Sequence, residues 1–282
     1  MLLNKIRRSK SGVSNIISTL LITSIMITSV ALTYSYLIPT IDRGRTSASI
    51  AASTLFLTKV DEAVQSLFYD GVGSARILDV DAFSGELGFR SLGLNFRAFI
   101  DGAMYLPIPG LEYGVARLTI PSQISVMSEN AQEYIKGGAF FPPAVTQDGS
   151  IDPATLLLER PDTESYRLEL WYRLQLLIRD TGIGGEIDVS VIAIDFNAVD
   201  ALVGLSSGSY HLIVSKTNAD VNPTAFGFPV NGDPITTSGD DFRITINPGT
   251  GPIEVYSSSG ARTRVSINLV IFTIDFQMIA LE

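Results

Sequence analysis

The chain has 282 residues, 46% of them hydrophobic and 17% charged, with 20 Lys+Arg against 29 Asp+Glu, one histidine and no cysteine. That is ample apolar material for a sizeable core, and it excludes intrinsic disorder, disulfides and thiolate metal sites, and zinc sites built from several imidazoles. The first ten residues hold four cations and no acid, so the remainder is strongly acidic, a poor surface for nucleic acid or anionic lipid.

Lys5, Arg7, Arg8 and Lys10 precede Ser11–Ile41, 31 residues without a charge, and the first acid is Asp42. Within that run Ile16–Ile38 has 23 residues, which as a helix span about 35 Å against a hydrocarbon core of about 30 Å. A basic head before an apolar run keeps the N-terminus in the cytoplasm and sends everything after Pro39 outward. A membrane helix is therefore expected, its apolar surface carried by Ile16, Ile17, Leu20, Leu21, Ile25, Ile27, Leu32 and Leu37. The run is longer than the apolar core of a secretory signal and has no small-residue cleavage pattern at its end, so an uncleaved signal anchor is one reading. Seven hydroxyls between Ser18 and Thr33 spread around the helix. They either bond their own i−4 carbonyls or let neighbouring helices pack closely.

The other end of the run gives a second reading. The series Gly12-Val13-Ser14-Asn15-Ile16-Ile17-Ser18-Thr19-Leu20-Leu21 after a short basic leader resembles the class III signal peptide of archaeal type IV pilins. Asn15 and Ser18 stand where many relatives have Pro and Gly, and Ser11 replaces the usual basic residue before the glycine. The resemblance covers about thirty residues and implies cleavage by a prepilin peptidase between Gly12 and Val13, with the hydrophobic segment kept on the mature protein. It also implies copies of the same chain or related pilins as partners, an assembly ATPase and membrane platform, and membrane lipid before assembly. The product would be an adhesive surface filament.

Pro39 should bend or interrupt the helix. Helical spacing then returns in Ile50, Leu57, Val60, Val64 and Leu67, with Lys59, Asp61, Glu62 and Gln65 expected elsewhere on the helix. The whole helix is expected from near Ser14 to Tyr69, kinked at Pro39 and ended by Gly71 as a C-cap.

From Ser74 the period changes to two. Tyr166–Arg179 is the strongest strand, its even positions all apolar, and further strands are expected at 76–80, 94–100, 115–120, 186–196, 210–215, 242–247 and 264–278. The last of these reads as a central strand and not as a second membrane span. Gly/Pro/Asn turns separate these runs, pointing to an antiparallel sandwich or Greek key. The expected class is α+β: a basic leader over 1–12, a long helix over 13–70, and an extracytoplasmic β-rich domain over 71–282. A Pro-rich stretch near 141–161 is a candidate divide between two lobes.

No catalytic constellation is found. Gly204-Leu205-Ser206-Ser207-Gly208 matches a nucleophile elbow, but the single histidine, His211, is five residues away at a strand start. Asp180-Thr181-Gly182 matches the aspartic-protease triplet without the second copy a shared-proton dyad needs. Both read as turns. The loop acids Asp220, Asp233, Asp240 and Asp241 read as solvated turns, with a calcium ion as the alternative use of their oxygens. No other cofactor is expected. The leading functional class is a subunit of a surface filament; its rivals are a membrane-anchored receptor or surface-layer-linked binding protein that keeps its leader, and an anchored extracytoplasmic enzyme, which an activity lost on substituting Ser206 or Asp180 would favour.

Overall fold

The computed structural model describes residues 2–80, 85–100, 103–137, 144–146, 153–182, 185–197, 203–205, 210–220, 241–247, 252–259 and 264–280. They form one helix, α1 (Leu2–Phe68), and strands β1 (Ala75–Val80), β2 (Gly85–Ile100), β3 (Ala103–Pro121), β4 (Gln132–Lys136), β5 (Ala144–Thr146), β6 (Ala154–Glu159), β7 (Ser165–Tyr172), β8 (Leu174–Asp180), β9 (Glu186–Asn197), β10 (Val203–Leu205), β11 (Tyr210–Asp220), β12 (Asp241–Asn247), β13 (Ile253–Ser259) and β14 (Arg264–Ala280). The class is α+β, as expected. Two units are present, one of Met1–Ala48 with Ile124–Val126, the other of Ser49–Gln123 and Met127–Glu282.

The helix is longer than the apolar run suggests. It begins at Leu2, so the leader is helical too, and it continues through Pro39 without a break in the assigned helix. Beside the proline, Thr40 turns its hydroxyl back to Tyr36 O at 2.8 Å.

In the second unit Ser49–Phe68 places Leu57, Val60, Val64 and Leu67 at no more than 1% exposure, with Ile50 against the same core. The spacing expected from sequence is therefore the buried stripe. The end of the helix differs from expectation. The left-handed residue is Gly73, at φ 90°, and not Gly71. Lys216 on β11 closes the terminus by donating from Nζ to Asp70 O at 2.8 Å and Phe68 O at 3.4 Å, a cation placed where the helix dipole is negative. Its ammonium also lies 4.5 Å from the Phe272 ring centre.

Among the described residues the strands form two sheets, one ordered β1-β11-β14-β9-β8-β5 and the other β13-β12-β2-β3-β7-β6-β4, with β10 on β2. The arrangement is sandwich-like and mostly antiparallel. Two pairs depart from the antiparallel expectation: β14 runs parallel to β9, and β5 parallel to β8. As expected, β14 is interior to its sheet.

The long run Tyr166–Arg179 is not one strand. It breaks at Arg173, and its halves β7 and β8 lie in different sheets. Strands that cross a sandwich corner in this way let side chains keep their alternation while the backbone changes partners. Arg173 is held at the corner by its own N–H to Pro153 O at 2.9 Å and by Nη2 to Thr155 Oγ1 at 2.6 Å. Five strands, β4, β5, β6, β10 and β13, were not expected. Of the candidate divide, residues 141–143 and 147–152 lie outside the described residues, and β6 is an interior strand of the second sheet.

Two apolar clusters result. One joins Leu57, Val60, Val64 and Leu67 of α1 to Leu118, Leu156, Tyr166, Tyr172 and Phe196. The other fills the space between the sheets with Phe96, Leu111, Leu174, Val189, Phe242 and Leu269. Within the first cluster the Phe196 ring packs on Tyr172 and Phe276 at 5.5 and 4.7 Å. A Cβ on Gly114 would come within 2.5 Å of that ring. Gly114→Ala is therefore expected to cost about 1–3 kcal/mol through overpacking. The urea midpoint of the full chain measures this, and an unchanged midpoint contradicts the packing.

Candidate functional site

The first candidate is the apolar stretch of α1. Ile16, Ile17, Leu20, Leu21, Ile25, Ile27, Leu32 and Leu37 are each at least half exposed, and the same holds for Ile22, Met26, Val30, Tyr34 and Tyr36. A stretch of mean hydropathy 2.0 with none of its residues buried marks this helix as long and apolar enough to cross a membrane. Its hydroxyls fit an apolar solvent. Thr23, Thr28 and Thr33 donate to Thr19 O, Ser24 O and Ser29 O at 2.8 Å each, and Ser35 to Leu32 O at 2.9 Å. Donors so paired add little polarity to the helix surface. Gly12, Val13 and the leader cations Lys5, Arg7, Arg8 and Lys10 lie on the same continuous helix.

The second candidate was not foreseen. Asp61 has no exposed surface, although Lys59 and Glu62 close to it on the sequence are exposed. Lys136 Nζ on β4 donates to its Oδ2. Tyr172 OH on β7 donates to Oδ1 at 2.9 Å, and Gln65 Nε2 lies 3.0 and 3.1 Å from the two oxygens. One helix and two strands thus converge on a single carboxylate. The signal was in the spacing: Asp61 sits four residues after Leu57 and three before Val64, on the apolar stripe itself.

A third cluster ties β2, β3, β7 and β6 together. Glu169, buried, receives Arg117 Nε and stands 3.7 Å from Arg90 Nη2, while Arg167 Nη1 donates to Glu159 at 2.8 Å. Burial and then the neighbouring Arg117 lower the pKa of Arg90. Burial, with Asp195 as the second cause, pushes the Glu112 carboxyl above its ordinary range. The native chain therefore binds more protons than the unfolded chain between the ordinary glutamate value and the raised one. Stability falls as pH rises through that window. Glu112→Gln removes this slope and raises neutral-pH stability by about a few tenths of a kcal/mol after solvent screening. Paired urea titrations at acid and neutral pH read the difference, and a variant with the wild-type pH slope contradicts it.

The sequence motifs take structural places. Asp180 closes β8. Its Oδ1 accepts Gly182 N at 2.8 Å, and its Oδ2 accepts Tyr256 OH and Ser258 Oγ of β13 at 2.9 Å each. Gly182 has φ 93°, so the triplet is the expected turn, and it also links the two sheets. His211 Nδ1 lies 2.8 Å from Asp79 Oδ1 across the β1–β11 ladder. Gly204 and Leu205 belong to β10, and Ser206 lies outside the described residues. Of the loop acids, Asp220 ends β11 and Asp241 begins β12, strands of different sheets, while Asp233 and Asp240 lie outside the described residues. Among the described residues no group of three or more His, Cys, Asp or Glu is placed to hold a metal ion. The chain matches no protein-family model, no curated protein and no solved structure.

Proposed function

We propose that the chain is a structural subunit of a type IV pilus-like filament on an archaeal cell surface, made as a precursor and cut between Gly12 and Val13. The observation that carries this reading is Ile16–Ile38: an uncharged helix, exposed on every side, with its threonine hydroxyls turned onto its own backbone. Such a surface is at home in lipid, and it packs equally well against the same surface of neighbouring copies, where small residues permit close approach. The precursor waits in the cell membrane with its N-terminus in the cytoplasm. A separate ATPase and platform extract it, since the sequence has no phosphate-binding motif. The acidic β domain then coats the filament and meets whatever surface it adheres to. The chain performs no catalysis in this reading.

A membrane-anchored binding protein that keeps Met1–Gly12 would use the same helix. N-terminal sequencing and intact mass, on sheared surface material and on membranes, separate the two. A chain starting at Val13 in the sheared fraction is the expected result. A chain keeping Met1 and confined to membranes overturns the filament reading and leaves the tethered binding module.

A further inference from the structure

Asp61 and Lys136 are 75 residues apart in the chain and meet inside the unit of Ser49–Gln123 and Met127–Glu282. Asp61 is fully enclosed, and the Lys136 side chain keeps 30% exposure. Tyr172, which holds Oδ1, belongs to the apolar cluster of Leu57, Val60, Val64 and Leu156. We propose that Lys136 and Asp61 condense to an amide, a covalent cross-link between α1 and β4.

The chemistry balances with no reagent from outside. A proton passes from Nζ to Oδ2 along their hydrogen bond, leaving a neutral amine beside a neutral carboxylic acid. The Nζ lone pair adds to Asp61 Cγ, forming the C–N bond. The Tyr172 hydroxyl and the Gln65 amide donate to the oxygen that gains negative charge, as preorganised donors do in acyl transfer. Oδ2 takes a second proton from Nζ, the C–O bond breaks, and one water departs. One hydrogen stays on the amide nitrogen, and nothing is oxidised or reduced.

Three features favour this pair. Contact held by the fold supplies the effective concentration that an amine and an acid lack in water. A carboxylate kept dry is costly, and the amide removes its charge together with that of Lys136 while retaining a dipole for Tyr172 and Gln65. Six further ion pairs, those of Arg76, Arg90, Arg117, Arg167, His211 and Arg243, are formed by arginine or histidine, whose nitrogens do not give stable amides with a carboxylate. Lys216 faces backbone carbonyls. A chain without cysteine thereby gains a staple in a compartment where other domains use disulfides.

The test is the mass of the full chain purified in detergent, and it does not depend on the filament reading or on where the chain begins. The expected mass is that of the sequence counted from the residue at which the purified chain begins, less one water, and a protease digest contains a branched peptide joining the Asp61 and Lys136 fragments. Lys136→Arg keeps a cation opposite the carboxylate and restores the missing water. Tyr172→Phe leaves a fraction of the chains unlinked. A wild-type chain of full sequence mass overturns the proposal. So does a Lys136→Arg chain that still lacks a water, as a succinimide at Asp70-Gly71 would give.

Discussion

Asp61→Ala is expected to be the most damaging single change in the β-rich unit, costing about 3–5 kcal/mol. Truncating one partner of a buried charged group leaves the others uncompensated, which is worth more than the net value of the interaction. Lys136 keeps 30% exposure and can turn toward water, so the larger loss falls on Tyr172 OH and Gln65 Nε2. Both donors lose the acceptor they reach at 2.9 to 3.1 Å, at about 1–3 kcal/mol for the buried Tyr172 hydroxyl. Tyr172 is itself fully buried and cannot move its hydroxyl out. Any cross-link through Asp61 is lost as well. Asp61→Asn keeps an acceptor for Tyr172 and is expected to cost less than the alanine. The check is the denaturant midpoint of the full chain in detergent, with the slope showing that the folded state is otherwise comparable. An alanine variant within about 0.5 kcal/mol of wild type, the range of ordinary surface changes, contradicts the reading of Asp61 as the polar centre of this core.

Asp61 also shows what the sequence could and could not yield. Periodicity found the stripe Ile50, Leu57, Val60, Val64 and Leu67 because one helical face meets one core. The same periodicity puts Asp61 on that face, yet an isolated acid reads as solvent-exposed until its partners are known. Those partners, Lys136 and Tyr172, lie 75 and 111 residues away, and no local pattern reveals them. The strand Tyr166–Arg179 failed for a related reason. Alternation survives the corner at Arg173, since Leu174 and Leu176 are buried just as Leu168 and Leu170 are. Only hydrogen-bonding partners reveal that β7 and β8 belong to different sheets. The parallel pairing of β9 and β14 is topological and leaves no trace in residue order. The three-residue strands β5 and β10 offer too few residues for a period to emerge. The apolar stretch Ile16–Ile38 was legible because the length and hydropathy that suit a membrane span are carried by one contiguous segment.

Ile27→Lys tests that helix where it is most sensitive. Ile27 is the middle residue of Ile16–Ile38 and is 64% exposed, so nothing in the β-rich unit depends on its side chain for packing. A lysine at the centre of a membrane helix costs about 2.5–3.5 kcal/mol of insertion free energy, equivalent to roughly a hundredfold in partitioning. In a filament the same ammonium would lie among apolar helices of neighbouring copies, too far from either end for its stem to carry the charge to water. Membrane-integrated precursor should fall sharply and sheared surface material should disappear, while the β-rich unit keeps its urea midpoint. Leu55→Lys is the matched control: Leu55 is 58% exposed on the later half of the same helix, where a lysine meets solvent and should change neither fraction. Quantitative immunoblots of membrane and sheared fractions from both variants make the comparison. Undiminished surface filaments with Ile27→Lys would mean that this stretch neither crosses a membrane nor lines a filament core, and the proposed function would fall with it.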